Sequence, residues 1–378
     1  MSSGFLHTVD ARIAVAKTAL ERGQLEASKA NFLARQGRHE QAKEIVLRLR
    51  SHFADRPDAG LSASLHLVEG LIDFFHDLSP AATDKLRRAY ALAAASGARP
   101  VAALSAAWLA HMDFSAHRFE GMGGHLTRAF EAAQDEDHAA LSRCSSVCAV
   151  ALHLGRDFSG ARYWYRAARL HGLRDEDNAA ISSYMHNQLA MAVMSMRQAI
   201  LAGEEQDLEE IELLLSEARS TKDYDELTGA VSLSKLIPIL KANLLSLQGR
   251  PREALQIYDQ ELLAAREQGM ERMAPWLLAD MASCHLRLAD KSAALALAVE
   301  ADEELASTIG LQVDDAAAAR SRLAEVFAGL GHTSRAEELQ RSAREDWGHF
   351  RKAQEELAKI ARELDVRFRS RVLPSRAG

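Results

Sequence analysis

Small and apolar positions recur along this chain of 378 residues at nearly constant intervals. The first set comprises Ala30, Gly70, Ala110, Ala149, Ala190, Ala242, Ala282 and Ala324, with successive steps of 40, 40, 39, 41, 52, 40 and 42 residues. Twelve residues after most of these comes a second set, namely Ala42, Ala82, Met122, Ala161, Ala254, Ala294 and Ala336. Seven residues further comes a third, Leu49, Ala89, Ala129, Ala168, Glu261, Ala301 and Ala343, in which only Glu261 is polar. A fixed period of this length is typical of a repeat array.

The spacing predicts two helices per repeat with a short turn between them. Small side chains are needed where two helix backbones approach each other closely. Three turns show their chemistry plainly, GRHEQA at 37–42, GRPREA at 249–254 and GHTSRA at 331–336. Each has a glycine where the first helix ends, and an alanine follows five residues later on the second helix.

These small residues, turn glycines and later alanines together resemble the tetratricopeptide repeat, over roughly residues 20–345. The resemblance implies an all-α fold: a right-handed superhelical solenoid of about eight helix-turn-helix repeats, followed by a long C-terminal helix. The period departs from the family, since its usual unit has about 34 residues. HEAT-like and armadillo-like repeats have a longer period and are the competing prediction, but they lack the glycine-to-alanine turn.

Two nearly identical octets, DEDHAALS at 135–142 and DEDNAAIS at 175–182, are predicted to begin helices. Acidic residues there accept hydrogen bonds from free backbone N–H groups and complement the helix dipole. A calcium site is the alternative, but the spacing of a calcium-binding loop is absent. One repeat is irregular, because the step from Ala190 to Ala242 is 52 residues. Its second helix is expected to bury Ile211, Leu215 and Ala218, and Pro238 to kink or start the helix that follows.

The C-terminal segment 347–369 departs from the period and is predicted to be one helix with an apolar stripe. The stripe is close to a heptad pattern and contains Trp347, Phe350, Leu357, Leu364 and Phe368. Either the helix caps the last repeat or it forms a dimeric coiled coil. The predicted organisation is therefore a capping helix at 1–22, a repeat solenoid at 23–345, a capping or coiled-coil helix at 346–371, and a disordered tail at 372–378.

Composition excludes several functional classes. The formal net charge of -7 opposes nucleic-acid binding by the whole surface, which needs many cationic side chains, although a local basic patch stays open. No uncharged apolar run is long enough to span a membrane, and the first residues have no secretory pattern. Three cysteines are too few for a disulfide framework and suit a reducing compartment. We expect a cytoplasmic protein with no membrane or nucleic-acid partner.

The sequence contains no motif for an enzyme, cofactor or metal. It lacks the phosphate loop, the H-E-x-x-H zinc motif and the G-x-S-x-G nucleophile elbow. GMGG at 121–124 is predicted to be a turn or helix start, because no strand precedes it. Cys144, Cys148 and His153 could be a metal set, but zinc favours C-x-x-C spacing and buried cysteines are common. We therefore expect a non-enzymatic protein without cofactor or metal.

The resemblance to tetratricopeptide repeats also implies where a partner binds. In that family the first helices line a concave groove, so side chains one and four places after each small residue are expected to face it. The candidate groove residues at these positions are Asn31, Phe74, His111, Phe114, His153, Met191, Met194 and Asn243, and Asn187, three places before Ala190, is added to them. They predict an apolar, aromatic and methionine-rich wall with flanking asparagines; plain packing between neighbouring helices is the alternative. The paired Lys, Arg and Asn that some members use to hold a peptide carboxylate are not evident.

The function expected from this resemblance is a scaffold or adaptor that binds a peptide or helix in the groove. A homodimer through the C-terminal helix is a further expectation. The alternative is a regulatory region, because the repeats and charged C-terminal helix also resemble sensory regions that precede diguanylate cyclase domains in bacteria. No GGDEF-type signature occurs in the sequence, so that relation would concern regulation alone.

Overall fold

A computed structural model describes residues 4–77, 81–204, 207–231, 234–267, 270–308 and 311–372. These residues form seventeen α-helices and one short 3-10 helix, Met270–Met273, and contain no strand. The helices are α1 Gly4–Val15, α2 Ala19–Arg35, α3 His39–His52, α4 Ala59–Asp77, α5 Ala82–Ser96, α6 Arg99–Ser115, α7 Phe119–Ala132, α8 His138–Leu154, α9 Phe158–Arg174, α10 Asn178–Leu201, α11 Leu208–Thr228, α12 Leu236–Leu247, α13 Pro251–Glu267, α14 Ala274–Arg287, α15 Lys291–Ser307, α16 Val313–Gly329 and α17 Thr333–Val372. The predicted all-α class is confirmed.

Three-residue connections join the helices of most pairs, and their middle residue has a positive φ. Gly37, Gly249 and Gly331 have φ of 84°, 82° and 86°, as the turn motifs predict. After each of them, a backbone N–H bonds five residues back, as from Arg38 to the carbonyl of Leu33 at 2.9 Å. This hydrogen bond closes the helix end in a Schellman-type cap.

The chain divides into two compact units. The first contains Met1–Gln188, Asp223–Leu233 and Glu356–Gly378, and the second contains Leu189–Lys222 and Ser234–Glu355. In the first unit, four helix pairs (α2/α3, α4/α5, α6/α7 and α8/α9) stack through contacts of α2 with α4, α4 with α6, and α6 with α8. In the second, α12/α13 and α14/α15 form pairs, and α12, α14 and α16 contact in succession. Each unit is therefore an array of helix pairs.

The recurring small residues lie at the helix contacts, as predicted. Seven of the first set are buried, and Ala190 is half-buried. A Cβ atom on Gly70 would lie 3.0 Å from Leu86 Cγ and 3.2 Å from the carbonyl oxygen of Ala82, so even alanine would crowd this contact. Glu261, the polar exception, pairs with Lys235 at 2.6 Å and stays partly exposed. Backbone proximity therefore sets the size of these side chains.

The irregular repeat has longer helices than its neighbours. Helix α10 has 24 residues and α11 has 21, whereas α8 and α9 have 17 each. Ile211, Leu215 and Ala218 are buried, which confirms the predicted core positions. Pro238 lies in the first turn of α12, so it starts the helix rather than kinking it.

The C-terminal helix begins earlier than the sequence pattern indicates. Helix α17 has 40 residues, because no helix-breaking residue separates the second helix of the last repeat from the segment beyond it. Within the first unit, the end of α17 packs on α7 and α9. The rings of Phe130 and Phe368 stack at 4.5 Å, Trp164 Nε1 donates to Asp365 Oδ1 at 2.6 Å, and His171 Nε2 donates to the carbonyl of Val372 at 3.1 Å.

Candidate functional site

The first unit has a recess on the side of its first helices. Its volume is about 310 Å³ when the part open to solvent is included, and without movement of the walls it has room for about one water molecule. Helices α2, α6, α8 and α10 and the loop before α10 contribute its main polar and aromatic side chains, Asn31, Arg35, Trp108, Ser142, Arg143, Asp175, Asp177 and Tyr184.

Arg143 is the most unusual side chain of this recess. It is only 2% exposed, and its guanidinium carbon lies 3.8 Å from the ring centre of Trp108 and 5.6 Å from that of Tyr184. Its Nη2 donates to Ser183 Oγ at 3.3 Å, whereas Nη1 has no hydrogen-bond partner among the described residues. Burial lowers the pKa of Arg143 to about 10, so the side chain is still a cation at neutral pH. Ring stacking holds this cation in place and leaves part of its donor capacity unused.

A buried ion pair forms another wall of the recess. Arg35 Nη2 on α2 lies 2.7 Å from Asp177 Oδ2, and both side chains are buried. Arg35 Nε also donates to Asn31 Oδ1 at 2.9 Å. The other oxygen of Asp177 accepts a hydrogen bond from the backbone N–H of Ala180 at 2.9 Å and so caps α10. One carboxylate thus joins α2 to the start of α10, and the second acidic octet begins a helix as predicted.

Asp175 adds a carboxyl group whose pKa lies near neutral pH. Burial and, to a smaller extent, the neighbouring carboxylate of Asp177 together raise the pKa of Asp175 to about 6, while Arg35 opposes the shift. Opposite it, Tyr184 OH donates to Ser142 Oγ at 2.6 Å, and Ser142 Oγ donates to the carbonyl of Ala168 at 2.7 Å. This chain of hydrogen bonds ties α10 to α8 and α9, so the wall is firmly positioned.

The predicted groove residues of the first unit do not form one surface. Asn31 lies in the recess. Phe74 and His111 contact each other at 5.4 Å between ring centres, and both contact Trp108. Phe114 instead packs on the ring of Phe119, at 6.3 Å in its own helix pair.

The remaining candidate groove residues lie in both units and pack against different neighbours. His153 packs on Phe158 and Tyr165, and burial lowers its pKa to about 4. Asn187 is half-buried in the first unit. In the second unit, Met191 and Met194 are half-buried, and Met194 packs against the apolar core. Asn243 is buried and donates from Nδ2 to Asp280 Oδ2 at 2.7 Å, so it belongs to an internal network.

The cationic part of the recess was not predicted from the sequence. No arrangement of basic residues with asparagine is evident in the repeat pattern, yet Asn31, Arg35 and Arg143 line one recess. One feature of the sequence could have indicated Arg143. It is the only Lys or Arg of α8, a helix built otherwise of small, apolar and histidine side chains, HAALSRCSSVCAVALHL. An arginine in such a helix is buried whichever way the helix turns, and a buried charge needs a specific reason.

The apolar stripe of the C-terminal helix lies in the chain's own core. Trp347, Phe350, Leu357, Leu364 and Phe368 are all buried, and Trp347 Nε1 donates to Ser321 Oγ at 3.0 Å within the second unit. These side chains have no surface to offer a second copy while they are packed in this way. The burial supports the capping interpretation of this helix.

The cysteines and acidic clusters give no sign of a metal centre. Cys144 and Cys148 are buried, and burial raises the pKa of both thiols above the ordinary value. In the described ranges, no three His, Cys, Asp or Glu side chains are placed to hold a metal ion. The same ranges contain no helix that is both long and apolar enough to span a membrane.

Comparison with known proteins gives limited information. No family model matches the chain, and the search of curated proteins finds no match. One similar solved structure is the crystal structure of Rap protein complexed with competence and sporulation factor. The two chains are 13% identical, and the match covers 90% of this chain and 99% of that chain with a TM-score of 0.48. At that identity and TM-score the likeness supports no inference about ligand or function.

Proposed function

We propose that the chain is an interaction protein that binds a peptide, or an exposed segment of another protein, at the recess of the first unit. The observation that carries this proposal is the setting of Arg143, a buried cation stacked on Trp108 with an unused donor at Nη1. An acceptor group of a partner would complete its hydrogen bonds. Arginine and tryptophan in a desolvated pocket are also the residues that most often dominate binding energy at protein interfaces.

The surroundings favour an extended segment over a large folded surface. The recess has room for only about one water-sized group, so it is an anchor point and not a complete interface. The half-buried rings of Phe74 and His111 continue the surface next to Trp108, and Trp108 is shared by both. A partner that places an acceptor on Arg143 can therefore lay an apolar neighbour against Phe74. That pattern of alternate anchors is typical of peptide recognition.

The test is selection from a peptide display library by the purified chain, followed by titration of the selected peptides. Arg143→Met keeps the length and packing of the stem but removes the charge and donors. We expect it to weaken the selected peptides at least about ten-fold, since a hydrogen bond to a charged group contributes roughly 1.5–3 kcal/mol. Arg87→Met, at an exposed position on α5, is the matched control and should bind like the original chain.

The outcome against the proposal is equal affinity in the original chain and Arg143→Met, with both shown to be folded by circular dichroism. Failure of the original chain to select any peptide would count against it equally. The described residues add no observation that favours the regulatory alternative related to diguanylate cyclases, so we do not extend the proposal to it.

A further inference from the structure

We propose that the second unit contains a separate binding site for an oxyanionic group, built from the guanidinium groups of Arg197 and Arg322. The site lies where the end of α10 meets α14 and α16. The site shares no residue with the recess of the first unit, so a test of one proposal does not decide the other.

The cluster draws one polar side chain from each of four first helices. Asp280 on α14 lies at its centre and is buried. Its Oδ1 accepts from Arg322 Nε on α16 at 3.0 Å, and its Oδ2 accepts from Asn243 Nδ2 on α12 at 2.7 Å. Arg197 on α10 reaches the same carboxylate, with Nε 3.5 Å from Oδ2. Its guanidinium carbon lies 4.4 Å from the ring centre of Trp276.

The cluster has many more donors than acceptors. Arg197 is 0% exposed and Arg322 is 3% exposed, so water does not reach either side chain freely. None of the three nitrogens of Arg197 has a hydrogen-bond partner among the described residues, and neither has Arg322 Nη2 or Trp276 Nε1. Each oxygen of Asp280 accepts one hydrogen bond, but none of the Arg197 N–H groups bonds to either oxygen, and the amide oxygen of Asn243 is likewise without a partner. Buried donors left without acceptors are costly, and a buried cation is costlier still.

The chemistry of the unused donors indicates the class of ligand. A guanidinium presents parallel N–H groups in a plane, which match the two oxygens of a carboxylate or phosphate. The ring of Trp276 fixes the plane of Arg197, so the donors are oriented before a ligand arrives. Arg197 and Arg322 have one buried carboxylate between them, that of Asp280, so once the exposed Glu325 is displaced the site favours an anion over a neutral acceptor. A carboxylate or phosphate group is therefore the ligand that this cluster fits.

The cluster reaches the surface through Glu325. Arg322 Nη1 donates to Glu325 Oε2 at 2.6 Å, and the side chain of Glu325 is 54% exposed. A ligand oxyanion can replace this exposed carboxylate on Arg322 and then approach Arg197. Next to Arg197, Gln198 Nε2 donates to Asp314 Oδ2 at 3.0 Å and joins α10 to α16.

A purely structural role predicts a different response to substitution. If Arg197 were a required member of a buried ion network, its loss would leave Asp280 with a weaker set of partners and destabilise the chain strongly. If Arg197 is kept for a ligand, an apolar side chain of similar length should be tolerated or should raise the unfolding temperature in the absence of ligand. Functional sites commonly lower stability in this way.

The experiment measures the thermal unfolding midpoint of the full chain with inorganic phosphate and, separately, with acetate, at constant ionic strength. In the original chain, we expect one of these anions to raise the midpoint by about 2 °C at a ten-fold excess over its dissociation constant. Arg197→Met should abolish the shift while keeping or raising the midpoint without anion. Glu325→Gln, which removes the competing carboxylate, should lower the dissociation constant. Arg335→Met, at a partly exposed ion pair of the same unit, should respond like the original chain.

Phosphate and acetate distinguish the two sources of an oxyanion, because a response to one alone assigns the class. Two results would overturn the proposal: no shift with either anion, or an equal shift in Arg197→Met. If Arg197→Met loses so much stability that it does not fold, Arg197→Lys decides the question. Lysine keeps the charge without the planar pair of donors, so a folded Arg197→Lys chain that still responds fully would also contradict a guanidinium site.

Discussion

Arg143 and Arg197 share a setting that is rare for a charged side chain. Both are buried, and each lies on the first helix of a pair, which consists mainly of small and apolar residues. The guanidinium group of Arg143 stacks on the ring of Trp108, and that of Arg197 stacks on the ring of Trp276. Stacking recovers part of the hydration energy lost on burial, but it satisfies no N–H group. At the scale of single residues, the two units therefore have the same feature, a fixed cation with unused donors.

The burial of His153 predicts that the free energy of unfolding decreases in acid. Burial lowers the pKa of His153 to about 4 in the folded chain, from an ordinary value of 6.5. As the pH falls below 6.5, the unfolded chain takes up a proton that the folded chain does not, so stability decreases between pH 6.5 and 4. This residue alone accounts for up to about 3 kcal/mol of that loss.

The measurement is urea unfolding at a series of pH values. His153→Phe should flatten the decrease in this window, since phenylalanine does not titrate and can keep the ring contacts with Phe158 and Tyr165. His52→Phe, which replaces an exposed histidine, is the control. An unchanged pH slope in His153→Phe would contradict the argument.

At the scale of helices and turns, one connection recurs with different residues in its middle position. Glycine occupies it at Gly37, Gly249 and Gly331, but Ala289 occupies it between α14 and α15 with a φ of 64°. An L residue with a side chain is strained in this region, whereas glycine is not. The hydrogen bond from Asp290 N to the carbonyl of His285, at 3.0 Å, shows that the cap forms despite the strain.

The recurrence predicts opposite effects of reciprocal substitutions. Ala289→Gly should stabilise the chain by up to about 1 kcal/mol by relieving strain, and Gly249→Ala should destabilise it by about 1 kcal/mol or more. Both are measured by urea unfolding. No atom lies within 4 Å of a Cβ placed on Gly249, so a loss of stability there would come from backbone conformation alone. A destabilised Ala289→Gly would show that unfolded-state entropy outweighs the strain.

At the scale of helices, the pairing of helices could be predicted from the sequence but the recess could not. The helix pairs follow from the sequence because close backbone approach restricts residue size at every repeat, as at Ala110 and Ala282. The recess does not follow, because it depends on contact between α2 and α10, which are far apart in sequence. Trp108 lies two residues before Ala110, and Arg143 lies six residues before Ala149. The groove prediction considered only the side chains one and four places after each small residue, so it selected other side chains.

At the scale of the molecule, the C-terminal end of α17 is an integral part of the first unit. A Cβ atom on Gly155 would lie 3.1 Å from the Cα atom of Ala358, and one on Gly123 would lie 2.8 Å from Ile360 Cγ2. The absence of side chains on these two glycines lets the helix approach closely. Its last turn is then fixed by the ring stack of Phe368 on Phe130.

Gly155→Val should therefore release the end of α17 from the first unit. The backbone of Ala358 cannot move aside as a flexible side chain could, so the helix has to shift as a whole. We expect faster amide hydrogen exchange over residues 356–372 and little change within α12–α15 of the second unit. Gly348→Val, at a position of α17 with open space around it, serves as the control. Equal exchange in both variants would show that the packing tolerates the added side chain.

The carboxylate of Asp177 has a consequence for how the first unit folds. In an array held together only by neighbouring repeats, stability is a sum of local terms and the ends can fray independently. Here Arg35, in the last turn of α2, and Asp177, directly before α10, form one ion pair although they lie 142 positions apart in the sequence. If either helix end unfolded alone, the other charged side chain would be left without its partner in a low-dielectric interior. We therefore expect cooperative, all-or-none denaturation of this unit in place of progressive unravelling from its termini.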